Sequence, residues 1–204
     1  MEKVNETDLS QTTPEKPVVA DHRLGMTLFL FSIIMVFVSF VPEKTVLAWL
    51  IINSIFIIIF LGILYFLWTK YKHDTVRYYS FQVYIMLMGI AFFSIPPIFK
   101  LLFGTMYFWI LLAATLALSI SSHLFKKRTV KSFVNKNHKL LGTILSLYTM
   151  VLIVVGIFLI GMMQRNEAPE NTGVALLFYF VSAMFLVLAP MFLVREEDVE
   201  KLKS

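Results

Sequence analysis

Four histidines are the residues of this chain whose chemistry is easiest to name: His22, His73, His123 and His138. Two of them share a local pattern. Asp21-His22-Arg23-Leu24-Gly25 and Asn137-His138-Lys139-Leu140-Leu141-Gly142 each stand at the start of a long apolar run. An imidazole at a helix end can ligate a haem iron or another transition metal. Against that, polar residues of every kind collect in the segments between apolar runs, so four histidines found there are what placement alone would give. The offset of one residue before the glycine also makes the match imperfect. The pattern requires no cofactor or metal, and haem binding through these histidines is the third of the readings the sequence admits.

Other chemistry is scarce. All 18 Lys and Arg and all 13 Asp and Glu fall outside six apolar stretches, Leu24–Val41, Val46–Trp68, Ser80–Phe99, Gly104–Phe125, Leu140–Met163 and Val174–Val194. Ion-coupled transport leaves an ionisable group inside a membrane, because moving charge needs a titratable or coordinating side chain. Intramembrane proteolysis needs a serine with a base, a His/Glu metal set or two aspartates at depth. None of these sets is present, so no enzyme is expected. The absence of cysteine removes disulfides and thiolate chemistry. Within the runs, Asn53 and Gln82 are the notable polar side chains. Each is more often interhelical glue than a substrate contact. Thr143, Ser146 and Thr149 add hydroxyls that can bond to their own helix.

The runs themselves dictate the architecture. A hydrocarbon core about 30 Å thick takes about 20 helical residues, and each run is near that length. Barrel strands are half as long and alternate in polarity, which these do not. With 58% hydrophobic residues and a mean hydropathy of +0.79, the chain lies outside the range of soluble domains. The expectation is an all-α, polytopic integral membrane bundle of six transmembrane helices. A disordered tail, residues 1–23, precedes the membrane domain of residues 24–194, and a second tail, 195–204, follows it. The first run lacks the flanks of a cleavable signal and is expected to be retained.

Lys and Arg set orientation. They alternate between rich and poor connections. Lys3, Lys16 and Arg23 precede the first run, and Lys70, Lys72 and Arg77 follow the second. Six lie in 126–139 and three in the last ten residues, whereas Lys44, Lys100 and Arg165 are each alone in their loops. Both termini are therefore expected in the cytoplasm of a cell-membrane protein. Trp49, Trp68, Tyr78, Tyr79 and Tyr107 near the ends of the runs suit interfacial belts.

The 126–139 segment carries Lys126, Lys127, Arg128, Lys131, Lys136 and Lys139 with no acid, interleaved with Val130, Phe133 and Val134. That composition fits a short helix on anionic lipid head groups, with docking of another membrane protein as a compatible role. The net charge of +5 and pI near 9.4 follow from this orientation, and no nucleic-acid partner is expected. At the C-terminus, Glu197 and Lys201 stand four apart and could pair on a helical extension. Ala113, Ala117 and Ser121, with Gly142 and Ser146, form small-residue ladders that nominate the fourth and fifth spans for the centre of the bundle. Pro96 and Pro97 are expected to stop the third helix, and Pro190 to bend the last one mildly. Two function classes remain beside haem binding. The first is a non-enzymatic accessory, assembly, sensing or immunity-type protein working through contacts in the membrane. The second is a small transport component for a neutral solute.

Overall fold

The computed structural model describes residues 22–41, 46–134 and 171–203. Every regular element among them is helical. α1 covers His22–Ser39, α2 Val46–Tyr71, α3 Thr75–Ser94, α4 Pro96–Leu102, α5 Met106–Leu124 and α6 Lys126–Val134. After 135–170 come α7, Thr172–Leu188, a 3-10 turn at Ala189–Leu193, and α8, Glu196–Lys203.

Four segments are long and apolar enough to cross a membrane: Val46–Tyr71, Thr75–Leu102, Met106–Leu124 and Thr172–Leu193. They coincide with four of the six expected runs. Leu24–Ser39 forms an apolar helix too, but a shorter one. The expected span Leu140–Met163 lies outside the described residues.

The apolar side chains face outward to a degree no water-soluble bundle tolerates. Leu47 is 73% exposed, Ile58 69% and Phe66 63%, all on the most apolar helix of the structure. A continuous surface of this kind is what hydrocarbon solvates and water does not.

α3 sits at the centre, packed on α1, α2, α7 and the 3-10 turn. The contacts also fix which helix ends lie together. The start of α3 meets the 3-10 turn through Arg77 and Leu193, and α6 meets α8 through Lys127 and Asp198. At the other end, the ammonium of Lys100 donates to the Val41 carbonyl at 3.4 Å and lies 4.5 Å above the Trp49 ring. The Lys/Arg-rich connections at 70–77, 126–131 and 195–203 thus gather at one end, here called the basic end, and Lys100 stands at the opposite one.

The core is aromatic. Phe31 of α1 contacts Phe60 of α2 and Phe93 of α3 edge-on, with centroids 5.7 and 5.6 Å away, and Ile57 completes the cluster. Edge-to-face rings pair a positive rim with a negative face. Gly89 makes this approach possible, because a Cβ there would overlap the buried Phe31 ring.

The proline pair does not end the helical segment. Ile95 keeps helical dihedrals (φ −76°, ψ −43°) although a proline follows it, and α4 continues at once. Pro96 and Pro97 occupy the first positions of α4, where their missing N–H groups would be unpaired anyway. The Phe99 N–H regains the Ile95 carbonyl at 3.4 Å. A neighbour also supplies a donor beside the break: the Ser182 hydroxyl of α7 donates to the Ala91 carbonyl at 2.8 Å. Hydroxyls from adjacent helices commonly stabilise such interruptions. Pro190 tightens the end of α7 into the 3-10 turn.

The small-residue ladder of the fourth span is not where α5 packs. Ala113 and Ala117 are exposed, while Thr115 is buried and faces α7. The reason is polar: a hydroxyl gains more from a partner helix than a methyl does. Gly142 and Ser146 lie outside the described residues.

Gly89→Val should overpack the core and cost about 1–3 kcal/mol. Thermal unfolding in mild detergent would register it, and combining it with Phe31→Leu should recover part of the loss, since the two positions share one contact.

Candidate functional site at the basic end

The polar side chains named by the sequence are buried and paired. Asn53 of α2 donates through Nδ2 to the Ser39 hydroxyl at 2.9 Å, and Gln82 of α3 donates through Nε2 to the Thr27 hydroxyl at 3.2 Å. Both acceptors belong to α1. One bond lies near each end of that helix, so α1 is fixed to its two neighbours against sliding and rotation. Among the described residues, no buried side-chain nitrogen or oxygen lacks a partner.

A polar stripe that sequence reasoning did not single out runs along α5 at i, i+4 and i+8: Thr115, Ser119 and His123. The Thr115 hydroxyl donates to the Leu111 carbonyl at 2.7 Å and lies 3.1 Å from the Tyr179 hydroxyl of α7. His123 has both ring nitrogens occupied. Nδ1 is 2.8 Å from the Ser119 carbonyl, which can only accept, so in the neutral ring Nδ1 carries the proton. Nε2 is then the acceptor, and the Tyr84 hydroxyl of α3 donates to it at 3.0 Å. The spacing of four was readable in the sequence. The partners on α3 and α7 were not.

This geometry bears on the histidines as cofactor ligands. Nε2 of His123 is already hydrogen-bonded, so an iron could bind there only by displacing Tyr84. His73 is exposed in the turn between α2 and α3. His22 lies in the first turn of α1, and His138 lies outside the described residues. The structure therefore does not bring the histidines together, and among the described residues no group of three His, Cys, Asp or Glu could hold a metal.

The basic segment forms a helix over its first nine residues. Phe125 alone separates α5 from α6, its N–H bonded to the Ser121 carbonyl at 2.9 Å and its own carbonyl to the Thr129 N–H at 3.0 Å. α6 packs on the 3-10 turn and α8 and buries Val130. Lys127, Arg128 and Lys131 are exposed and Lys126 is half-buried, while Lys136 and Lys139 lie outside the described residues. Lys127 pairs with Asp198 of α8 at 3.0 Å, a surface contact with its lysine side chain 61% exposed. Such a pair contributes about 0–1 kcal/mol, so it orients α8 more than it stabilises the fold.

The chain has no match among family models, curated proteins or solved structures. Its chemistry must be read from these contacts alone.

Asn53→Leu and Gln82→Leu should each cost only about 0.6 kcal/mol, the average for interhelical hydrogen bonds in membranes. Each should leave the helical circular-dichroism signal unchanged, and a loss of folded protein from either variant would show that the pair does more than join helices.

Proposed function

We propose that the chain is a non-enzymatic protein of the cell membrane that crosses the bilayer six times with both termini in the cytoplasm. On this reading it works through contacts with lipid and with other membrane proteins, in an accessory, assembly, sensing or protective role. The observation that carries the reading is the use made of buried polarity. The four interhelical contacts of Asn53, Gln82, Ser182 and Thr115 tie one helix to another and leave none of these side chains lining a path or facing a substrate. What the molecule offers to its surroundings is exterior: broad apolar helix faces and the exposed cations of α6.

Parity supports the six-crossing topology. α6 ends at the basic end and α7 begins at the opposite end, so the chain between 134 and 171 has to pass from one end to the other. The apolar run Leu140–Met163 is the segment composed to do so. Collection of the Lys/Arg-rich connections at one end supports the cytoplasmic placement of that end.

Reporter fusions after Val134 and after Ser204 should fluoresce as cytoplasmic, and one placed between Arg165 and Asn171 should report the external face. Identical signals from all three would remove the fifth crossing. Cross-linking in native membranes should yield one reproducible heteromeric product. A free monomer carrying a bound solute after gentle purification would instead favour a transport component.

A further inference from the structure

At the basic end, the last turn of α2, the first two turns of α3, the 3-10 turn and α8 enclose an open groove of about 730 Å³. Charges of both signs line it: Asp74 and Arg77 at the start of α3, and Arg195, Glu197 and Glu200 at the start of α8. Among the described side chains, none of the five is ion-paired with another, and the one ion pair, Lys127–Asp198, lies outside the groove. Arg77 is held in position: it lies 4.3 Å from the centre of the Phe81 ring and donates through Nη1 to the Leu193 carbonyl at 3.4 Å. A guanidinium has five N–H donors, so most remain for a ligand. Asp74 accepts from the Arg77 backbone N–H at 3.1 Å and caps α3.

The groove also has an apolar side. Val76, 60% exposed, and Phe192, 40% exposed, both line it. Tyr71 joins them and packs on Phe81, while Tyr65 and Trp68 stack one to two turns further along α2. Rings grouped at a helix end mark head-group depth, where an apolar body meets a polar edge.

We propose that this groove binds the head group of a phosphoethanolamine-type phospholipid. Arg77 and Arg195 receive the phosphate, Glu197 and Glu200 accept from the primary ammonium, and Val76 and Phe192 meet the first methylenes of the acyl chains. The mixture of charges selects among lipids. A quaternary choline has no N–H to give to the carboxylates and prefers aromatic faces. A phosphoglycerol has no cation, and leaves the two glutamates facing an anion unpaired.

The inference rests on the membrane reading above, and its test separates the two. The full chain in mild detergent is exposed to equal amounts of phosphatidylethanolamine, phosphatidylcholine and phosphatidylglycerol, and retained lipid is read by native mass spectrometry. Phosphatidylethanolamine should be retained about tenfold over the others, the scale of one charge-assisted hydrogen bond. Glu197→Gln with Glu200→Gln, both exposed and outside the core, should bring that preference to near one. Arg195→Gln should weaken retention of all three lipids together. Equal retention, a preference for phosphatidylglycerol, or a preference that survives the double glutamine variant would overturn the proposal. A chain that stays in membranes through an alkaline carbonate wash yet retains the lipids equally defeats the groove alone. One released by the wash defeats the membrane reading as well.

Discussion

A helix that is apolar around its whole circumference has no face of its own to turn inward. α2 is the extreme case, with hydrophobic residues at nearly every position and no stripe to distinguish core from exterior. In such a chain the usual driving force is silent, because lipid tails solvate leucine as well as another leucine does. The rotation of each helix must come from the few groups that lipid cannot satisfy, and from the few places where backbones can approach. Asn53 turns α2 toward Ser39, Gln82 turns α3 toward Thr27, and Ser182 turns α7 toward the Ala91 carbonyl. Gly89 then lets Phe31 close against α3. Everything else about the packing follows from those choices.

The same logic explains what could and could not be read from the sequence. The apolar runs were plain, since the cost of placing an ion in hydrocarbon writes them in composition, and four of them reappear as long apolar helices. Asn53 and Gln82 stood out as helix-to-helix contacts for the same reason. Their partners did not, because serine and threonine are common in these runs and only the fold says which ones meet. The alanine ladder of α5 pointed to the wrong face: small residues permit close approach but do not demand it, whereas Thr115 and His123 had hydrogen bonds to gain. The prolines misled through a rule about isolated peptide geometry. Ile95 stays helical because α4 restarts beneath it and α7 packs alongside.

At the basic end, the charged segments are structural parts and not loose ends. α6 turns off α5 at Phe125, buries Val130 and supports the 3-10 turn and α8. This arrangement places an acidic helix beside a strongly basic one and opens the cleft between α3 and α8 in which both signs of charge remain available. The sequence showed the charge runs but not their meeting, since the contact joins segments about seventy residues apart.

The helices differ in length, and a bilayer would feel the difference. Thr75–Leu102 has 28 residues and Met106–Leu124 has 19. At 1.5 Å per residue these are about 42 Å and 28 Å. Tilt absorbs part of the mismatch, and lipid must stretch or thin to absorb the remainder, at a cost of fractions of a kcal/mol for each ångström. The molecule would then be a wedge in the plane of the membrane, thick along one flank and thin along another. Local bilayer strain of that kind is relieved when the thin flank abuts another protein or a region of matching thickness, so geometry alone would bias where this chain settles and beside what.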